Sequence, residues 1–576
     1  MWAFTEQNWQ DEIKKSLKEG ISLDFKKEIF NGQSISPFSL FKNTLCDSQA
    51  LTTKNKSFIT IQNYSDLKSS GLEEWLKEPD VGFRFRELSD LKENFNNTRN
   101  FTAFLSQPFP FALSEDQKIF LDEYTGLNNS VNLGWSPLSF GLTRGEILKK
   151  PFNGWEKIFS DQSLEHKNIG WFYLSSAPYE WAGAEPQMEL AIMLSLGHAI
   201  IAELAAIGVK PELAFDKICF GLSLGTDVLV ESSKIVAMKL LWQRFREMSE
   251  VAGETADVYA LPSLRSFSGR DPWNNIMRMT LMSFSALIGG ARGFKCIPYD
   301  VLNKRKTADA VRVSTNIPLV LKKEGYLNQV INPLDGASLF SDSIDVLCKS
   351  AWTTFQEIER KGGVLEAVRS GWLQTELKRS AEYSKNQMSY LQKELVGVNK
   401  FISKDPSYGS EGDIIRLSDI IDPLFLSQSA DDFLPVEPLL VSSLSYDWEA
   451  LQMASDQYTL KTKVRPKVTV IKGGGPVVEK KISWLASVLN LGGVDLEIIP
   501  AENLEKVGPW SSLAILTTSG DEMEQAALVA LKAKGVEKVW SFGHFKKETS
   551  IERFLETNIN ALEFVKDIHH ISLENR

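Results

Sequence analysis

From about residue 56 to 450, short runs rich in β-branched and aromatic residues alternate with longer stretches of helical periodicity. FITIQNY, FTAFLSQPF, VNLGWSPLSF, IGWFYLSSA, KICFGLSL and DVYALPSL are the predicted strands. Helices are predicted between the later ones, at 187–207 and 227–248. In the second of these Val228, Ile235, Met238, Trp242 and Phe245 fall on one face, as a period of about 3.6 residues requires. Strand–helix units repeated over several hundred residues predict a parallel α/β barrel or a doubly wound sheet. The barrel is favoured, because the units follow one another without a break.

The two ends read differently. Residues 7–18 predict a short helix, and IFNGQSISPF an extended hairpin turning at Asn-Gly. With few apolar residues this is an arm, 1–55, leading into a barrel domain, 56–445. A polar stretch at 446–463, shortly before Pro466, reads as a linker. Beyond it, 464–576 predicts a small doubly wound domain of the flavodoxin type. Its strands are VTVIKG, VDLEIIP, LAILTTS and VEKVWSFG; its helices are VVEKKISWLASVLNLGG and EMEQAALVALKAKG, with ERFLETNINALEFVKDI closing it.

Composition narrows the function. The net charge of −10 opposes a nucleic-acid partner, which needs a positive field. Four cysteines at 46, 219, 296 and 348 form no CxxC pair, so reduced thiols are expected and a zinc site is not. Five histidines are few for a metalloenzyme, and His569–His570 reads as a solvated pair. The longest apolar run, LAIMLSLGHAIIAELAAIG, is interrupted by His and Glu and reads as a buried helix, not a membrane span. The N-terminus lacks an apolar signal segment, so a cytoplasmic protein is expected.

One segment carries more. From Gly269 the chain runs GRDPWNNIMRMTLMSFSALIGGARGFKCIPYD, continues through NIPLVLKKEGYLNQVINPLDG and ends in AWTTFQEIERKGG. This stretch resembles the adenosylcobalamin-dependent acyl-CoA mutases, above all the methylmalonyl-CoA mutase family. RDPWNNIMR at 270–278 is similar to the small, β-type subunits, where Arg-Asp-Pro-Trp replaces the Gln-Gln-Pro-Tyr of the catalytic subunit. The resemblance covers the arm, the second half of the barrel and the C-terminal domain; it is poor over 67–167. It implies a TIM (β/α)8 barrel followed by a flavodoxin-like, cobalamin-binding-type domain.

At the positions that the resemblance makes functional, the chemistry is missing. Active mutases carry Gly-Tyr-His-Met-Arg-Glu-Ala-Gly; here the stretch is Ser176, Ala177, Pro178, Tyr179, Glu180, Trp181, Ala182, Gly183. The Tyr and His positions are thus Ala177 and Pro178, which offer no proton, charge or side-chain hydrogen bond. An Asn-Ala-His-Met-Asp segment becomes Ser223, Leu224, Gly225, Thr226, Asp227; Asp227, Lys234 and Trp242 keep the family's residue. Asp227 reads best as a helix N-cap. Val258, Tyr259, Ala260, Leu261, Pro262, Ser263 and Leu264 replace the small polar residues that line a coenzyme A tunnel, and read as a filled barrel.

The loop Asp-x-His-x-x-Gly, whose His ligates cobalt, reads Gly473, Gly474, Gly475, Pro476, Val477, Val478, Glu479. It supplies no imidazole, and the next histidine, His544, follows a later strand. The Ser-x-Leu and Gly-Gly signatures are eroded to Thr517–Thr518–Ser519 and Gly543–His544. The triple glycine fits neither a dinucleotide fingerprint nor a Walker loop, so a tight turn is favoured over a phosphate cradle. Asp271–Pro272 reads as the start of a helix over 274–287, and Gly289–Gly290 as its C-cap.

The resemblance therefore implies a non-catalytic small subunit: no catalytic residue, and no cofactor bound by this chain. Adenosylcobalamin would sit in a catalytic large subunit interconverting methylmalonyl-CoA and succinyl-CoA. Alternatives are a self-sufficient acyl-CoA mutase of altered substrate and a platform for the mutase's GTPase chaperone.

Overall fold

In a computed structural model of the chain, eight of the short apolar runs close on one another. The structure describes 165–403 and 433–506 almost throughout, most of 513–574, and the strands with parts of their connections before 165. The predicted helix 7–18 and Cys46 lie outside the described residues. The barrel strands are β1 (Ile59–Asn63), β2 (Val81–Phe85), β3 (Thr102–Leu105), β4 (Ser130–Trp135), β5 (Ile169–Ser175), β6 (Ile218–Leu224), β7 (Val258–Pro262) and β8 (Gly293–Lys295). Each pairs in parallel with its sequence neighbour, and β8 closes on β1. The sequence reading found six of them and missed β2 and β8.

Helices follow the strands on the outside: α1 (Ala177–Trp181), α2 (Pro186–Ala206), α3 (Val228–Met248), α4 (Trp273–Ile288), α5 (Ala308–Lys323), α6 (Ser338–Arg360) and α7 (Trp372–Ser389). Local chemistry sets their ends. Asp227 Oδ1 accepts from Val230 N at 3.2 Å, the expected N-cap of α3. Gly289 N–H closes on Ser285 O, and Gly290 follows at φ 71°, ending α4. By length and hydropathy α2 could cross a membrane, but 67% of its apolar window is buried. It packs against α3 and α6. Among the described cysteines, Cys219 and Cys296 are buried and Cys348 is half-buried, none of them in a disulfide. The hairpin read in the arm is present as two antiparallel strands, Lys27–Phe30 and Gln33–Ile35.

The barrel axis is filled in a regular way. Ile59 and Ile61 of β1, Phe104 of β3, Tyr173 of β5 and Tyr259 of β7 cluster there with Cys219. The Phe104 and Tyr259 rings meet edge-on, 4.9 Å between centroids, and Phe104 and Tyr173 at 6.1 Å. The large apolar side chains thus come from the odd strands, and β4 adds Asn132, whose Nδ2 lies 3.2 Å from Cys219 Sγ. The even strands leave room with Gly221 and Gly293, where an added methyl would overlap Tyr173 and Ile59 respectively. A layer built from alternate strands is the ordinary filling of such a barrel. The reading of 258–264 as filling is refined: Tyr259 faces the axis, whereas Val258 and Ala260 belong to the large core beneath the helices.

The second domain is a five-stranded parallel sheet of β9 (Lys467–Lys472), β10 (Asp495–Pro500), β11 (Leu513–Thr517), β12 (Lys538–Ser541) and β13 (Arg553–Phe554). Its order, β10-β9-β11-β12-β13, is that of flavodoxin-like folds. Its helices are α9 (Pro476–Leu491), α10 (Asp521–Ala533) and α11 (Ala561–Glu574), which follow α8 (Tyr446–Thr462).

Two expectations are corrected here. The supposed linker 446–463 is helix α8, whose Trp448, Glu449, Gln452, Ser455 and Asp456 are buried. Several of their polar groups find distant partners: Gln452 donates to Val398 O and Leu491 O, and Ser455 to Gly492 O. His569 is not solvated; it is buried, with Nε2 2.8 Å from Gly492 O and 3.2 Å from Ser455 Oγ. Burial holds its pKa below the ordinary imidazole value.

Gly221→Ala tests the filled axis. The methyl has to displace the Tyr173 phenol, so destabilisation of about 1–3 kcal/mol is expected. Gly126→Ala, with open space around the new methyl, is the matched control. Thermal melts of the two variants decide: equal stability would mean that the axis is not packed.

Candidate functional site at the barrel mouth

Ligands of such barrels bind at the C-terminal ends of the strands, where the residues of interest here converge. Ala177 and Pro178 form the first turn of α1 and are buried. Ser223 is the penultimate residue of β6, and Gly225 follows the strand. A Cβ on Gly225 would come within 2.9 Å of Glu231 Oε1, so the position that carries the family's His has no room for an imidazole as long as Glu231 stays.

What occupies the mouth is a closed polar network. Lys234 of α3 donates to Glu189 Oε1 of α2 at 2.7 Å and pairs with Glu231 Oε2 at 2.8 Å. It also donates to Ser223 O. Ser176 Oγ donates to Glu189 Oε2 and accepts from Ser223 N at 2.9 Å. Glu180 accepts from Ser223 Oγ at 3.0 Å and Ser263 Oγ at 2.8 Å, with Arg265 at 3.8 Å. Each of these side chains is buried, and most of their polar atoms meet another residue of the chain, Arg265 Nη2 being an exception.

A strap lies across this network. Val436 N–H bonds to Gly145 O, Leu439 to Leu142 O, Ser442 to Trp181 O and Leu444 to Arg265 O, crossing the ends of β4, β5 and β7. A crevice of about 160 Å³ lies beside it, lined by Gln374, Leu377, Ala381, Glu437 and Ser442 among others. That is below the ~300 Å³ at which small-molecule sites begin.

The charges explain the packing. Burial opposes the Lys234 charge, but Glu189 and Glu231 outweigh it and hold the ammonium above its ordinary range. Lys393 also faces Glu231 and Glu180. Burial pushes Glu189 up to about 8, against the pull of Lys234, and raises Glu231 as well.

The sequence reading noted Lys234 without a role and missed Glu180, Glu189, Glu231 and Ser263. The available signal was ionisable residues inside apolar runs, as in MELAIMLSL and VLVESSKIV.

In the second domain the loop after β9 is a turn. Gly473 N–H is committed to Thr517 O at 2.8 Å, Gly475 sits at φ 110°, and Pro476 opens α9. Lys472 beside it pairs with Glu479. Glycine and proline give this loop no side-chain ligand for cobalt. Among the described histidines, His569 bonds Gly492 at the other end of α9. His198 lies on the barrel's outer layer against Glu359, 2.9 Å away. Thr517 is buried and donates to Ile471 O, while Thr518, Ser519, Gly543 and His544 lie outside the described residues. The residues in place therefore do not fit the family's cobalt-ligating loop.

A pH test follows from the raised Glu189 carboxyl. A carboxyl whose folded pKa lies above its unfolded value binds the proton more tightly when folded, so it contributes stability at low pH. That stability is lost as pH rises from about 4.5 to about 8. Glu231→Gln leaves one ammonium facing one carboxylate, so the variant's melting temperature should fall less than the parent's between pH 5 and 8. Parallel curves would mean that Glu231 does not raise the Glu189 carboxyl.

Comparison with known proteins agrees with this architecture. The methylmalonyl-CoA mutase family model matches residues 157–414. A probable methylmalonyl-CoA mutase small subunit of Mycobacterium bovis is 26% identical over 463 residues, 76% of this chain and 70% of the relative. The methylmalonyl-CoA mutase small subunit of Streptomyces virginiae is 26% identical over 385 residues, 64% of this chain and 59% of its own. A methylmalonyl-CoA mutase of Rhizobium meliloti is 28% identical over 225 residues, 38% of this chain and 31% of its own. With a closed (β/α)8 barrel followed by a parallel sheet, this chain is similar to the methylmalonyl-CoA mutases, and over most of its length to their small subunits.

Proposed function

We propose that this chain is a non-catalytic small subunit of a methylmalonyl-CoA mutase, acting as the structural partner of a catalytic large subunit. The observation that carries the reading is the filled axis: Phe104, Tyr173 and Tyr259 stand where coenzyme A would have to pass. The network of Lys234, Glu189, Glu231 and Glu180 supports it, because these ionisable groups at the mouth bond to one another and to neighbouring serines. The names of the related small subunits support a heterodimer.

In such a complex adenosylcobalamin, held by the large subunit, supplies the radical that interconverts methylmalonyl-CoA and succinyl-CoA. This chain contributes buried surface, which stabilises the folded partner by mass action. A cytoplasmic location goes with this reading, and the GTPase chaperone remains a further partner to try.

Co-expression with the large subunit of the same organism tests the proposal. The expected result is a one-to-one complex that isomerises methylmalonyl-CoA, while this chain alone elutes without a corrin absorption band and without activity. Corrin retained by the isolated chain, or turnover of any acyl-CoA by it, would refute the reading.

A further inference from the structure

The second domain carries a buried titratable group of its own, His569. It stands on α11, where that helix meets α8 and the end of α9. Its Nε2 lies 2.8 Å from Gly492 O and 3.2 Å from Ser455 Oγ. A carbonyl oxygen only accepts, so Nε2 carries the ring's proton. Ser455 Oγ donates to the same carbonyl at 2.7 Å, which brings α8 into the cluster. Nδ1 has no partner among the described residues. Glycine makes the close approach possible: a Cβ on Gly492 would overlap Val565 Cγ1 and come within 3.2 Å of His569 Nε2.

This geometry suits the neutral ring alone. A second proton goes onto Nδ1 and leaves a charged donor buried without an acceptor. The charged groups of the elements packed against α11 have other partners or face elsewhere. On α8, Glu449 accepts from Ser268 and Asp456 from Arg270, Lys461 is exposed, and Asp447 lies two turns before Ser455. Arg465, against Gly493, is 3.8 Å from Asp495. Glu479 of α9 pairs with Lys472 of β9, Lys481 donates to Phe542 O, Lys467 and Lys480 are exposed, and β11 carries no charge. On α7, Glu376 pairs with Arg379, while Lys378, Glu382 and Lys385 line the crevice beside the strap. On α11 itself Glu563 pairs with Lys566 and Asp567 with Arg553, and His570 is exposed.

We infer that His569 is an acid-sensitive latch: the neutral ring fastens α11 to α8 and the end of α9, and protonation opens this corner of the second domain. Burial, which holds the imidazole below its ordinary value, agrees in sign. A group whose folded pKa is depressed binds its proton less tightly in the closed form. The latch is therefore intact above about pH 6.5, the ordinary imidazole value, and weakens as pH falls below it. Helix α8 keeps its ties to the barrel through Glu449 and Asp456, so the opening is local to α11 and the turn at 492–493. The small-subunit reading is not needed for this inference.

Amide hydrogen exchange of the full-length chain at pH 7.5 and 5.0, corrected for intrinsic rates, tests the latch, with barrel helix α4 as internal reference. Protection of α11 should fall at least five-fold at the lower pH, towards a ceiling of about 30-fold set by one group that ordinarily titrates near 6.5. Protection of α4 should fall by less than two-fold. In His569→Gln the carboxamide keeps an N–H for Gly492 O but does not titrate, so α11 should also lose less than two-fold. Unchanged α11 protection in the parent, an equal fall in α4, or an equal fall of α11 in the variant would overturn the inference. Should the variant fail to fold, the parent's α11 and α4 decide by the same criteria.

Discussion

Phe104, Tyr173 and Tyr259 meet on the barrel axis, each from an odd strand, with glycine on the even strands between them. This complementarity of large and small constrains the rest of the molecule. Tyr173 lies where a side chain on Gly221 would be, and Ile59 lies where one on Gly293 would be. Hollowing the axis for a long ligand would need several coordinated changes. Emptying a single aromatic position in a closed core costs about 3–5 kcal/mol. The filled state is the stable default of the fold, and a tunnel is what an active relative would have to maintain against it.

Closing the axis changes what the mouth can be. Polar side chains at the strand ends of an open barrel can be satisfied by a ligand; here they have to satisfy one another. Lys234 bridges α2, α3 and the end of β6 through Glu189, Glu231 and Ser223 O, while Glu180 gathers Ser223 and Ser263. Such a network adds little net stability, because desolvating the charges offsets their attraction, but removing one member leaves the others unpaired and is costly. It fixes strand ends and helix angles, which is what a scaffold requires and what a catalytic site, with groups reserved for substrate, does not.

Much of this was legible in the sequence, for local reasons. Strands such as ICFGLSL and IGWFYLS are long and apolar enough to stand out, and Ala177, Pro178 and Gly473–Gly475 exclude side-chain chemistry by identity alone. The missed elements are those whose pattern is completed only in space. Strand β8 is three residues long, and β2 carries an arginine on an element that reads as neither helix nor strand. Helix α8 looks like a polar linker because Glu449 and Asp456 find their partners about 180 positions away, at Ser268 and Arg270. His569 looks solvated for the same reason.

Those long-range pairs also connect the two ends of the molecule. Arg270, one residue before the Asp-Pro that opens α4, donates to Asp456 through Nε at 3.1 Å and Nη2 at 2.9 Å, and to Ser403 O through Nη1. Glu449 accepts from Ser268 Oγ and from the backbone N–H of Arg270. Through Ser455 and Gln452, α8 is fastened to the end of α9. The N-terminus of α4 is thus tied to the C-terminal domain by buried, directional bonds that an apolar contact would not orient as sharply. The RDPWNN segment is then better understood as the joint of a rigid two-domain scaffold than as the remains of a site.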